Sequence, residues 1–198
     1  MQVEISVNLS TDRLLVRLGD PGDAAAMVAY RLANRDHLID HGPASAWSPE
    51  SLTESYWRKR FEESIDEFRT DQSVKLVISE KTRNSRDRTI IGTINFTGIL
   101  RRAAQYCVLG YGLDRELQGR GYMTEALRAA IGFMFRERNL HRIMANYVPT
   151  NQASGRVLRK LGFDVDGYAR DYLYLNGVWR DHILCSLTND QWDSELTP

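Results

Sequence analysis

Apolar and polar positions along this chain change their period in a fixed order, and each change predicts an element. Arg13-Leu14-Leu15-Val16-Arg17 reads as a short strand, and Asp20-Pro21-Gly22-Asp23 starts a helix that runs to about Leu32. From Asn34 to Pro49, with Gly42, Pro43 and Trp47, no period survives and a loop is expected. Helical spacing returns through Leu52, Tyr56, Phe61, Ile65 and Phe68, predicting a helix over 51–68. Strands follow over 74–79, 89–98 and 105–113, separated by a polar, mostly basic loop at 81–88 and a turn at Arg101 and Arg102.

The strongest periodic signal comes next. Met123, Ala126, Leu127, Ala130, Ile131, Met134 and Phe135 fall at i, i+3, i+4, i+7, i+8, i+11 and i+12, so one face of a helix packs inward. A strand over 141–147 and a helix over 151–161 come after it. Two last strands, 165–175 and 178–187, flank Asn176-Gly177, the residue pair favoured in type I′ hairpins. The order predicts an α+β domain whose helices flank a mixed, mostly antiparallel sheet of about seven strands. A helix joins the strand before Gly119 to the strand after Leu140, which makes those two strands parallel neighbours.

The chain has 198 residues, enough for one domain with its own core, taken as residues 11–190 with a lead-in at 1–10 and a tail at 191–198. Acidic and basic residues balance at 26 each, which leaves no global field to hold DNA or an anionic membrane. Cys107 and Cys185 sit in apolar runs and read as small buried hydrophobes rather than as a disulfide or a nucleophile. The N-terminus lacks a basic segment followed by an apolar run, and no apolar stretch approaches a membrane span, so a cytoplasmic location is expected. His37, His41, His141 and His182 lack ligand spacing, and no metal is expected.

Chemistry gathers where the strand ending at Leu113 meets the strong helix, at Gln118-Gly119-Arg120-Gly121-Tyr122-Met123-Thr124-Glu125. A strand, a glycine-rich turn and a helix start bring backbone N–H groups and the positive end of a helix dipole to one place, which suits a phosphate or pyrophosphate. A P-loop would need Lys and Ser or Thr after the glycines, and here Gly121 precedes Tyr122 and Met123. A dinucleotide fingerprint would need Gly or Ala where Thr124 or Arg115 stands. Taken alone, the stretch is also compatible with an ordinary strand-to-helix turn.

It has company. Gln118-x-x-Gly121-x-Met123 resembles the pyrophosphate signature of the GNAT superfamily of N-acetyltransferases, and Asn151-Gln152-Ala153-Ser154 followed by Lys160-Leu161-Gly162-Phe163 resembles that superfamily's second coenzyme A motif. Met123 is similar to the Rim-type ribosomal-protein alanine N-acetyltransferases. Thr11-Asp12-Arg13-Leu14, the run from His141 to Tyr147 and Trp179-Arg180-Asp181-His182 resemble the member of that branch that modifies a small-subunit ribosomal protein. The resemblance covers nearly the whole chain. It implies the GNAT fold, with the two parallel strands splayed and the pantetheine arm of acetyl-CoA between them. Leu113, Gln118, Gly119, Arg120, Gly121, Tyr122, Met123, Thr124, Asn151 and Ser154 would then bind acetyl-CoA, backbone groups from Leu109 to Leu113 taking the cofactor's amides.

Acyl transfer to an amine needs a neutral amine, orientation, donors for the oxyanion and a proton for the departing thiolate. An α-amine with a pKa of roughly 7.7–8.0 is already partly neutral near pH 7, whereas lysine near 10.4 faces about 4 kcal/mol of deprotonation. A weak base therefore suffices for a protein N-terminus. Asn146 stands where some relatives carry a catalytic glutamate. Asp171 is the candidate base, about two residues off the register of other Rim-type carboxylates and on the same strand face, or else a surface carboxylate paired with arginine. Ser154 is the candidate proton donor to sulfur, or else a first-turn residue beside the N-cap Asn151. Glu125 reads as a first-turn acid favouring the dipole. Tyr111, Asn146 and Tyr147 are placed at the acceptor slot, though aromatic strand residues also serve cores.

Three functions stay open: acetylation of the N-terminal alanine of a ribosomal protein, acetylation of a small amine such as a polyamine or antibiotic, and non-catalytic acetyl-CoA binding by a ribosome assembly factor. The acidic residues around Glu62 offer attraction to a basic ribosomal protein and the arginines within 83–88 offer contact with ribosomal RNA. Solvated surface accounts for both. The loop from Asp36 to Trp47 and the helix over 51–68 are expected to shape the acceptor site.

Overall fold

A computed structural model describes residues 7–39, 47–81 and 89–196. Strands β1 (Asn8–Ser10) and β2 (Leu14–Leu18) lead into helices α1 (Ala24–Ala33), α2 (Arg35–Leu38) and α3 (Glu54–Arg69). A meander follows, β3 (Ser73–Glu80), β4 (Gly92–Leu100) and β5 (Tyr106–Leu113). Helix α4 (Tyr122–Arg136) then crosses over to β6 (Arg142–Tyr147), and α5 (Gln152–Lys160) leads to the hairpin β7 (Asp164–Leu175) and β8 (Val178–Thr188).

The strands form one sheet in the order β1-β2-β3-β4-β5-β6-β8-β7, with β5 and β6 as its parallel pair. That is the mixed, mostly antiparallel α+β architecture expected, with eight strands among the described residues. The added strand is β1, whose Leu9 pairs with Val16, so part of the stretch read as a lead-in lies in the sheet. Arg35–Leu38, expected as loop, is a short helix because the Leu38 N–H bonds back to the Asn34 carbonyl. In the segment read as a tail, Trp192 donates to the Asn139 carbonyl at 3.1 Å. His41, Gly42, Pro43 and Ala44 in the acceptor loop, and the arginines within 83–88, lie outside the described residues.

Two cores sandwich the sheet. On one face Val16, Ile78, Ile94, Phe96 and Leu109 pack against Ala126, Leu127, Ala130 and Met134 of α4 and Leu158 of α5. On the other, Val77 meets Met27 and Tyr30 of α1 and Phe61 of α3. Strand alternation accounts for this, since Val77 points opposite to Leu76 and Ile78. Cys107 and Cys185 are buried and free, and burial pushes the Cys107 thiol up to about 12.

One ion pair anchors α1 to the sheet. Arg17 Nη1 and Nη2 donate to the two oxygens of Asp23 at 2.6 and 2.7 Å, and Asp23 is fully buried. Removing one partner of a buried pair leaves the other charge desolvated. Asp23→Ala should therefore lower stability by about 3–5 kcal/mol. Urea denaturation checks it, and an unchanged midpoint would make the pair ornamental.

Candidate active site

The turn between β5 and α4 exists because two glycines allow it. Gly119 has φ +76° and Gly121 has φ +81°, left-handed values that L side chains resist. Gly121 is the N-cap of α4. The N–H groups of Gly121, Tyr122, Met123 and Thr124 have no acceptor among the described residues, as expected of a helix's first turn. Gln118, Gly119, Arg120 and Gly121 are exposed, whereas the Met123 side chain is in the core.

Arg13 clamps this turn from the side. Its Nε donates to Glu125 at 2.7 Å, Nη1 donates to the Arg120 carbonyl at 3.0 Å, and its guanidinium lies over the Tyr122 ring. Thr11 Oγ1 donates to the other Glu125 oxygen at 2.6 Å. Burial alone would raise the Glu125 pKa, but hydrogen bonds from Thr11 and Arg13 outweigh it and hold the carboxyl below its usual range. Glu125 is thus an occupied anchor, and Thr11-Asp12-Arg13-Leu14 acquires a physical purpose that its sequence did not disclose.

Beyond the turn the parallel strands separate. Pairing of β5 with β6 ends at Leu109 and Ala145, although β5 continues to Leu113 and β6 to Tyr147. A cavity of about 450 Å³ opens in this gap. Tyr111, Asn146, Tyr147, Asn151, Ser154 and His182 line it, brought from β5, β6, α5 and β8. Gly155 permits this arrangement, because a Cβ there would lie 2.8 Å from the Tyr147 hydroxyl.

Ser154 and Tyr111 form a hydroxyl pair, with Oγ and Oη 2.8 Å apart. Asn151 caps α5 by accepting from the Ser154 N–H at 3.1 Å, which fixes where Ser154 sits. Burial, partly offset by the Ser154 hydrogen bond, pushes the Tyr111 hydroxyl up to about 12, so it stays protonated at neutral pH. Tyr111 therefore turns toward α5 and the serine and packs against the core, while also lining the cavity.

Asp171 is not brought to this cavity. It lies exposed in an irregular stretch of β7 between Ala169 and Leu173, with φ +48°, and its N–H donates to Asp181 Oδ1 at 2.9 Å. The irregularity breaks the two-residue alternation on which its placement rested. At Leu113, His37 Nε2 lies 3.1 Å from the backbone carbonyl, a contact from α2 that no spacing announced. Among the described residues no cluster of three His, Cys, Asp or Glu is placed to hold a metal ion, and no helix is long and apolar enough to cross a membrane.

The family described as acetyltransferase (GNAT) domain matches residues 13–164. The chain belongs to the GNAT acetyltransferase family. Over 186 residues this GNAT domain is 41% identical to the [Ribosomal protein uS5]-alanine N-acetyltransferase of Escherichia coli K12, covering 94% of this chain and 93% of that protein. Among solved structures it is similar to the ribosomal-protein-S5-alanine acetyltransferase of Vibrio fischeri (TM-score 0.88, 37% identity, 94% of this chain and 99% of that one). It is also similar to Mycobacterium smegmatis RimJ in complex with CoA-disulfide (TM-score 0.82, 26% identity, 92% of this chain and 86% of that one).

Proposed function

We propose that this GNAT domain transfers the acetyl group of acetyl-CoA to the N-terminal alanine amine of a ribosomal protein. The observation that carries the reading is the 41% identity to the E. coli uS5-alanine enzyme across 94% of the chain. The geometry supports it. The free N–H groups from Gly121 to Thr124 suit a diphosphate, with Gln118, Gly119 and Arg120 forming the turn and Leu113 the strand that leads to it. The cavity between the splayed strands suits the acyl group and the amine. Ser154, hydrogen-bonded to Tyr111, is the proton donor to the leaving sulfur.

The wall of the cavity also bears on the acceptor. Among the described residues it carries no carboxylate, and Leu173 and Leu175 give it an apolar side. A polyamine holds several positive charges and would call for acidic partners on burial. A single α-amine beside a small methyl side chain needs none. Residues 11–190 are taken as the catalytic domain, acting in the cytoplasm where ribosomal proteins are made.

Intact-mass analysis of ribosomal proteins from cells with and without this gene tests the proposal. A loss of roughly one acetyl group from the N-terminus of one small-subunit protein is expected. Unchanged ribosomal masses together with turnover on polyamines would replace it with the small-amine reading.

A further inference from the structure

Among the described residues the cavity offers a hydroxyl pair as acid but no carboxylate as base. Asp171 is exposed outside the cavity, Glu125 is fully engaged by Thr11 and Arg13, and Asn146 cannot carry a proton. We infer that His182 Nε2 is the general base that takes the proton from the acceptor amine. The inference rests on the acyl-transfer reading above and deepens it.

Three observations converge. First, His182 lines the cavity while its residue is only 3% exposed, so the surface it keeps is cavity surface. Second, its ring is oriented and its tautomer chosen. Nδ1 lies 3.0 Å from the Arg180 carbonyl, and a carbonyl only accepts, so Nδ1 carries a proton, and the neutral tautomer that fits this contact has its lone pair on Nε2. Nε2 has no hydrogen-bond partner among the described residues, yet it is not one of the sealed polar atoms of the interior. A basic nitrogen is thus held open at the cavity wall.

Third, the sheet register puts base and acid on opposite sides of the gap. Asn146 pairs with Leu184, two residues along β8 from His182, so Asn146 and His182 share one face. Tyr147 pairs with Ile183, and Tyr111 pairs with Ile94 of the α4-side core, so both tyrosines face the other way, toward α5 and Ser154. The cavity touches both sets because β5 and β6 no longer pair there. A thioester carbonyl in the gap would have its amine arrive on the His182 side and its sulfur leave on the Ser154 side.

The step balances. The neutral amine attacks the thioester carbonyl carbon and the C–N bond forms. The nitrogen's surplus proton passes to His182 Nε2. The C–S bond breaks, and the thiolate takes a proton from the Ser154–Tyr111 pair. The imidazolium then releases its proton to water, and water returns one to the hydroxyl pair. The titratable and charged groups beside His182 are the Tyr172 phenol on β7, with ring centroids 5.5 Å apart, and the neighbouring Asp181 carboxylate, while Tyr111 and Tyr147 line the same cavity from the other face of the sheet.

The test uses the full chain, acetyl-CoA and a peptide beginning with alanine. Absence of wild-type turnover on any amine would defeat acyl transfer itself, and with it this inference, before any variant is made. Given turnover, His182→Asn keeps a side-chain N–H for the Arg180 carbonyl and removes the basic nitrogen, while His182→Ala removes both. Both variants should lose about 100-fold or more in kcat, with KM for peptide and acetyl-CoA moving less than about threefold, and added imidazole should restore part of the His182→Ala rate. Full kcat in His182→Asn, or a raised KM with kcat intact, would reduce His182 to a structural residue. Nitrogen NMR of the wild-type protein gives a readout independent of folding in the variants: His182 should carry its proton on Nδ1, and an Nε2–H tautomer would overturn the assignment.

Discussion

Gly121→Val should weaken acetyl-CoA binding by about 100-fold, or about 2.7 kcal/mol. The cause is the backbone rather than crowding by the protein. A Cβ at Gly121 would have Arg13 Nη2 at 3.5 Å as its nearest neighbour, an ordinary contact. The φ of +81° is what a β-branched residue cannot hold, and holding it costs about 1–3 kcal/mol. The chain relieves that strain by rotating the N-cap, which swings the N–H groups of Tyr122, Met123 and Thr124 away from a shared anion. A side chain on the exposed turn also keeps the diphosphate from the backbone. Titration calorimetry with acetyl-CoA reads the effect, and wild-type affinity in a folded Gly121→Val would remove the anion site from this turn.

Ser154→Ala should lower kcat by about 100-fold while leaving acetyl-CoA affinity within about twofold, because a proton donated to sulfur matters only as the C–S bond breaks. Tyr111→Phe removes the 2.8 Å partner and should cost less, about tenfold, because Ser154 stays in place through Asn151. The pair also fixes a pH dependence. Burial raises the Tyr111 value to about 12, so its stabilising hydrogen bonds are intact below the free phenol's range and fail only as pH rises through about 12. Turnover by the wild type should therefore show no alkaline decline from this pair up to pH 10. Stopped-flow and steady-state rates across that range check it, and kcat unchanged in Ser154→Ala would take the serine out of the reaction.

The elements legible along the chain share a property: their signals are local. The face from Met123 to Phe135 packs inward along most of its length because i, i+3, i+4 spacing needs only the helix itself. Asn176-Gly177 turned the last hairpin, and the glycines of the anion turn stand at positive φ where the motif put them. What failed was whatever depended on counting across an irregularity. Asp171 resembles a Rim-type carboxylate only if two-residue alternation carries it to the same strand face, and the break in register between Ala169 and Leu173 leaves it as the exposed surface carboxylate of the alternative reading. Residues 35–38 carry too short a pattern to declare a helix.

Sequence alone determined the family, through motifs that resemble it, and the order of the longer helices and strands, whose signals come from neighbours a few positions apart. Only the tertiary structure decided which side chains share the cavity. Tyr111 and Ser154 lie 43 positions apart, Arg13 and Glu125 112, and they meet through strand register and helix packing. Whether His182 lies in the core or at the reaction follows from the parity of β8 against β6, and from where β5 and β6 part. Those are long-range pairings, fixed when the whole sheet closes around its two cores.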